Sequence, residues 1–366
     1  MYTNLEANRE ALDDDLLHTA LLFRLLRKHG LAVPQDVLNN FIDYQGRIRT
    51  SLGKDVEGIL SLYEASFLAY EGEEALQNVT TFTTTCLEEF LHDVDVKLEL
   101  KGRVGYALKI PLHWRAPRVY ARWFIDVYAR DDMVNPLLLE LAKRDFNMVQ
   151  SAHTRDVKEL SRWWNDLGIQ KLSFVRDRIM ECFLWTIGIA FEQQLWYCRH
   201  VLTKINALVT TIDDVYDIYG SIDELECFTK SIERWDIDAI EGLPDYMKVC
   251  YTALLDTTNV FAHDCFKRNG INCLSYLKNA WINLCKSYLV EARWYHSKHM
   301  PTFEEYMQNA WISISGPTIL THAYFFLSDK TTSEALDSME SHRDLIYLSS
   351  MILRLHDDLG TSEAEL

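Results

Sequence analysis

The sequence predicts an all-α protein, on three observations. Only 7 prolines and 14 glycines occur in 366 residues. Apolar residues recur near the helical period almost throughout, and alternating strand-like runs are scarce. The segment DDDLLHTALLFRLLRKHG shows the pattern: aspartates open it, Lys28, His29 and Gly30 close it, and Leu17, Leu21, Leu25 and Leu26 form a stripe. That charge order complements the helix dipole. Farther along, Ser221 with Glu224 and Thr302 with Glu305 have the spacing of capping boxes, in which a hydroxyl and a carboxylate satisfy each other's backbone N–H groups. Around LKGRVGYALKIPLHWRAPR, Gly102, Gly105, Pro111 and Pro117 cluster between two helical blocks. Two domains are therefore expected, 1–115 and 116–366.

Composition narrows the function. Hydrophobic residues make up 48% of the chain, as in a globular protein. The net charge of −17 (37 basic against 54 acidic residues) argues against a nucleic-acid partner, which requires a basic face. It leaves an anionic small molecule open, because metal ions or a few arginines reverse the sign within one pocket. Eight cysteines occur with no CxxC pair; in apolar helical segments a free thiol is a small buried hydrophobe, and a reducing compartment is read from them. No apolar run reaches the length of a membrane span. The opening MYTNLEANREALDDD has neither the basic start and apolar core of a secretory signal nor the acid-poor composition of a transit peptide.

The stretch TTIDDVYDIYG carries Asp213, Asp214 and Asp217. On a wheel of about 100° per residue, Ile205, Leu208, Ile212, Val215, Tyr216 and Tyr219 share one side. Asp213 and Asp217 lie one turn apart on another, flanked by Asp214. Like charges at that spacing repel by a few tenths of a kcal/mol. Two readings are open: a solvated face on which the repulsion is tolerated, or a carboxylate cluster for Mg²⁺, a hard cation that shares oxygen ligands with phosphate. A second acidic set lies in SSMILRLHDDLGTSEAEL, where Asp357, Thr361 and Glu365 are spaced i, i+4, i+8 and share a sector with Arg354 and Asp358. Carboxylate, hydroxyl and carboxylate over two turns would serve a second metal. Leu345, Leu348, Ile352, Leu355 and Leu359 occupy the other side, as on any surface helix. Upstream, KLSFVRDRIMECFLWTIG supplies Arg176 and Arg178, then Trp185. An arginine fork suits phosphate oxygens, and a tryptophan face stabilises a cation; ordinary surface and ordinary core are the competing readings.

Taken in order, RDR…FLWTIG…TTIDDVYDIYG…RLHDDLGTSEAE resembles plant class I terpene synthases. The aspartate-rich motif reads Asp213-Asp214-Val215-Tyr216-Asp217, and the family's (N/D)Dxx(S/T)xxxE motif reads from Asp357 to Glu365. LLFRLLRKHG, LSLYEASFLAYEGEE and IPLHWRAPRVYARWF resemble the same family, so the likeness covers essentially the whole chain. TTIDDVYDIYGSIDELECFT and NAWISISGPTILTHAYFF are similar to the angiosperm monoterpene branch. The resemblance implies an N-terminal relic helical domain without chemistry and a C-terminal class I helical bundle, here lacking its last helices. It implies Mg²⁺ or Mn²⁺, three ions, with geranyl diphosphate as the prenyl diphosphate substrate. Asp213, Asp217, Asp357, Thr361 and Glu365 would hold metal, and Arg176, Asp213, Asp217, Arg354 and Asp357 would meet the substrate. Arg176, Arg178, Trp185, Asp214 and Arg354 would be catalytic, with Tyr324 or Phe325 as further aromatic faces. Ser313, Ser315, Gly316 and Pro317 in ISISGPT would form a helix break.

Ionisation of the diphosphate would give an allyl cation that rearranges, cyclises, loses a proton or captures water. No DxDD occurs, since DVDV at Asp93 to Val96 lacks the final acid, which sets aside a protonation-initiated cyclase. The second motif departs from the second DDxxD of chain-elongating prenyltransferases. Members of the family are longer, so a fragment truncated at both ends is expected, monomeric or weakly dimeric. Plastid residence is expected from the branch, with the cytosol as the alternative. The competing functions are an inactive truncated relic and an isoprene or sesquiterpene synthase.

Overall fold

The computed structural model describes residues 15–43, 45, 47, 49, 52–93, 98–327 and 343–365, with side chains in the last helix described over 344–362. The near-miss to DxDD thus lies largely outside the described residues. Helices are the only extended regular elements among those described, and the chain divides into two compact units, Met1–Phe146 and Asn147–Leu366.

The first unit holds α1 (Leu16–Lys28), α2 (Val56–Ser66), α3 (Glu74–His92), α4 (Leu98–Lys109) and α5 (Pro117–Tyr128). Asp15 caps α1, accepting from the His18 N–H at 3.1 Å. The stripe that α1 buries is Leu16, Ala20, Phe23 and Arg27, one position round from the expected Leu17, Leu21 and Leu25. The shift has an electrostatic anchor. Arg27 is buried because its guanidinium donates to the Val33 and Leu68 carbonyls and to both Glu73 oxygens, so its stem joins the core side. The unit boundary falls after Phe146, later than the expected 115. An aromatic stripe on α5 accounts for the difference: Trp123 stacks on Tyr106 of α4 at 4.0 Å, and Arg118 donates to the Phe146 carbonyl, which keeps 117–146 with the first unit.

The helix α6 (Pro136–Leu167) runs across that boundary. The second unit continues with α7 (Ile179–Ile189), α8 (Trp196–Asp214), α9 (Ile222–Arg234), α10 (Asp245–Asn269), α11 (Leu274–Ser297), α12 (Phe303–Ser313), α13 (Gly316–Phe326) and α14 (Arg343–Glu365). Its core gathers Ile205, Leu208, Ile212, Phe228, Tyr251, Trp281 and Leu284 from α8 to α11. Both capping boxes form. Glu224 accepts from the Ser221 N–H and hydroxyl, and Thr302 and Glu305 exchange bonds at 3.2 and 2.8 Å. The fully buried Arg199 of α8 fixes α7. It bonds Asp156 of α6 through two nitrogens and closes the α7 end by donating to the Ala190 and Glu192 carbonyls.

Two irregularities matter for the site. Past Asp214, α8 widens into a π turn over Val215–Tyr219, closed by the Gly220 N–H on the Val215 carbonyl at 2.9 Å. A Cβ on Gly220 would stand 2.5 Å from Leu225 Cδ2 and 2.9 Å from that carbonyl oxygen, so glycine is required to close the turn. The wider turn rotates the residues at its far end. Val215 and Tyr216 remain in the core, as the wheel expects, while Tyr219 swings out to stack on Phe174 at 4.3 Å. The second irregularity separates α12 from α13 at ISISGPT, where Ser315 takes a positive φ of 66°. A Cβ on Gly316 would meet Ser350 Oγ of α14 at 2.4 Å, so the missing side chain is what lets α14 pack against this break.

Candidate metal-binding site

The aspartates of α8 divide into two roles by depth. Asp214 is fully buried, and both of its oxygens are turned to Arg176: Oδ2 takes the backbone N–H at 2.8 Å and Oδ1 takes Nε at 2.6 Å. Asp213 accepts Nη2 of the same guanidinium at 2.5 Å and remains partly open. Burial works against the Arg176 charge, but Asp214 and Asp213 outweigh it and hold the group above its usual range. Asp214 thus positions Arg176 and is sealed from any ligand, a different setting from the catalytic one expected for it.

Asp213 and Asp217 carry the electrostatic load. Burial, then repulsion from Asp217, pushes Asp213 up to about 6 against the pull of Arg176. Asp217 lies exposed at the surface of the π turn, yet partial desolvation by the protein around it, then Glu291, pushes it up to about 6 as well. Glu291, on α11, is a residue that sequence reasoning missed. Burial raises its pKa, although Ser313 Oγ donates to it at 2.6 Å and Asn309 Nδ2 at 2.9 Å. It interacts with both Asp213 and Arg354, which links the two acidic motifs. No motif flags it. The only signal was a lone acid in the apolar run KSYLVEARWY.

The second motif is more open. Arg354 Nη2 donates to Asp357 Oδ2 at 2.8 Å and also bonds Asp358. The Tyr306 hydroxyl lies 3.0 Å from both Asp358 oxygens. Thr361 donates to the Asp357 carbonyl of its own helix at 3.0 Å. The Glu365 side chain lies outside the described residues. Among those described, no three carboxylate, imidazole or thiol groups converge tightly enough to enclose an ion unaided. The donor set still fits a hard divalent cation. Carboxylates with proton affinities raised by desolvation and then by mutual repulsion are relieved by positive charge, and Mg²⁺ completes its shell with water and phosphate oxygens.

The remaining expected residues scatter. Trp185 sits on α7 with 62% of its surface exposed. Arg178, expected to be catalytic, stands at the start of α7 and pairs with Glu181 at 2.9 Å. Phe325 is closed into the core, its ring against Tyr276 and Tyr324, and so offers no face to a cavity; the half-buried Tyr324 is the more open of the two.

An all-helical bundle with two acid-rich motifs joined through Glu291, and arginines beside each, defines the class. Residues 165–366 match the family model described as "Terpene synthase family, metal binding domain", and residues 1–108 match "Terpene synthase, N-terminal domain". The chain belongs to the terpene synthase family.

Its relatives sharpen the likeness. It is 51% identical to a (-)-alpha-terpineol synthase of Vitis vinifera, over 100% of this chain and 62% of the relative. It is 48% identical to a chloroplastic limonene synthase of Coffea arabica, over 99% and 60%. An isoprene synthase from grey poplar leaves, solved with three Mg²⁺ ions and dimethylallyl-S-thiolodiphosphate, superposes with a TM-score of 0.92 at 45% identity, covering 98% of this chain and 69% of that one. A limonene synthase with 2-fluorolinalyl diphosphate gives 0.88 at 45% identity, covering 95% and 65%. The chain thus spans about 60% of the length of these curated relatives.

Proposed function

We propose that this chain carries the diphosphate-ionising machinery of a monoterpene synthase that acts on geranyl diphosphate. The observation that carries the reading is the crowding of Asp213, Asp217 and Glu291, with both aspartates pushed up to about 6, beside an Arg176 held by Asp214. Asp213 and Asp217 would hold one set of Mg²⁺ or Mn²⁺ ions, and Asp357, Thr361 and Glu365 another. When bound, the ions supply positive charge against the leaving diphosphate. Arg176 and Arg354 add to that charge through donors fixed in place before the bond breaks, which lowers the barrier without reorganisation. Asp214 holds the Arg176 fork in one orientation. Trp185 presents a π face to the allyl cation, and apolar walls exclude water until the proton is lost or water is captured. Plastid residence is proposed with it, since several relatives bear "chloroplastic" in their names.

The test is incubation with geranyl diphosphate and Mg²⁺, with volatiles read by gas chromatography–mass spectrometry and Asp213→Ala as control. Monoterpenes from the wild type alone support the reading. Dimethylallyl and farnesyl diphosphates run alongside decide between monoterpene, isoprene and sesquiterpene synthesis. A well-folded wild type that releases no diphosphate from any of them overturns it. One observation favours a second reading, a metal-binding chain that does not turn over: α14 leaves Leu345, Leu348, Ile352, Leu355 and Leu359 exposed.

A further inference from the structure

The first unit, to which the proposed function gives no task, contains a built cavity of its own. About 210 Å³ in volume, it is lined by α1, α2, α4 and α5 and by Arg115. Leu17 and Leu21, the residues left out of the α1 core stripe, face into it. Leu60, Tyr106, Trp123 and Phe124 complete an apolar and largely aromatic wall. Size sets the ligand class. A cavity of ~150 Å³ accommodates benzene, so this one accommodates a ring with a short substituent.

Charge sets its sign. The lining carries Arg24, Arg103 and Arg115 against Glu57 and Glu64, an excess of one positive charge (three minus two). Arg103 is matched by Glu57 at 2.8 Å. The excess therefore lies in the other group, where Arg24 and Arg115 both bond the single carboxylate of Glu64, the latter at 2.5 Å. Arg115 is fixed. Its side chain is 4% exposed, Nε donates to the Ile110 carbonyl at 2.9 Å, and the guanidinium lies 4.9 Å from the Tyr120 ring centroid. Its Nη2 has no acceptor in hydrogen-bonding geometry. Arg24 spends Nη1 on Glu64 and keeps the rest of its fork. Burial, against the pull of Tyr120 and together with repulsion from Arg115, disfavours its charge. A charged group in that position is stabilised by an anion that arrives with its own apolar body.

We propose that this cavity is a binding site for a small aromatic monocarboxylate, with the carboxylate on Arg24 beside Arg115 and the ring against Tyr106 and Trp123. A single excess charge suits a monoanion. A phosphate dianion would meet the Glu64 carboxylate without full compensation. The site is separate from the diphosphate chemistry and stands or falls without it.

The probe is trans-cinnamate, titrated into the full chain by isothermal calorimetry, with cinnamamide as the neutral isostere and inorganic phosphate as the anion without a body. Cinnamate is expected to bind saturably, at least ten times more tightly than either comparator. Arg24→Gln should lose tenfold or more. Leu21→Trp, which fills the cavity and leaves every charge in place, should abolish binding while the circular dichroism melt stays cooperative. Equal binding of cinnamate and cinnamamide overturns the proposal, as does the absence of saturation or undiminished binding by Leu21→Trp. If Arg24→Gln does not fold, the wild-type isostere comparison and Leu21→Trp decide.

Discussion

The two acidic motifs of the second unit have similar composition and opposite settings. The first lies at the end of α8, where Asp214 is sealed in the core, Arg176 is held by three bonds, and a π turn fixes the residues beyond the aspartates. The second lies along α14, where Asp357 is exposed, Thr361 bonds its own helix, and the opposite apolar face is bare. One motif is organised around a sealed carboxylate, and the other keeps its carboxylates partly open to water. The difference shows that an acidic motif is more than its count of carboxylates. The residue between them, Asp214 in one case and Asp358 in the other, decides how firmly the neighbouring arginine is aimed.

The largest expected effect tests that claim directly. Arg176→Ala strands the buried Asp214 carboxylate with a single backbone donor and should cost about 3–5 kcal/mol of stability, the usual range for breaking a buried pair from one side. Arg354→Ala removes a largely buried guanidinium from carboxylates that stay 47% and 33% exposed and can turn to water, so it should cost less, about 1–2 kcal/mol. Urea denaturation of both variants measures the contrast, and equal losses would erase it.

A glycine in each motif gives the next test. Gly220→Ala drives a methyl group into Leu225 and the Val215 carbonyl and should destabilise by about 1–3 kcal/mol, as overpacking does. Gly360→Ala in α14 meets no atom within 4 Å and should stabilise the helix by about 0.5–1 kcal/mol. Thermal melts of opposite sign are expected. A neutral Gly220→Ala would mean that the π turn is not the structure in solution.

The last test is the pH dependence. Asp213 and Asp217 have folded pKa values raised from 3.8 to about 6, so the folded chain binds the extra proton. Their contribution is present below about pH 4 and lost as pH rises through about 6. In metal-free buffer, Asp213→Asn should therefore gain stability relative to wild type across that window, and Mg²⁺ should cancel the gain by stabilising the wild type. The measurement is melting temperature against pH with and without the ion. A difference that shrinks with rising pH would contradict the crowding at the first motif.

Much of this is legible in the sequence. Helical period, the two capping boxes and the spacing of the acidic motifs mark the fold and the site without any knowledge of the packing. The misses share a physical cause. A wheel with a fixed step per residue cannot register the π turn, which is stabilised by close approach of Gly220 to Leu225, so it places Tyr219 in the core. Asp214 and Asp213 are adjacent and chemically identical, and only the depth of the packed bundle separates the sealed carboxylate from the partly open one. Glu291 belongs to no motif. It is brought to the site by Asn309 and Ser313 on another helix, an arrangement that exists only once α11 and α12 pack.

The contact between Gly316 and Ser350 bears on how such a chain can vary through evolution. With Ser350 already where a methyl group would go, residue 316 has almost no neutral alternatives. Ser313 is similarly committed through its bond to Glu291. Substitution meets least resistance at exposed side chains such as Met180 and Leu184 of α7.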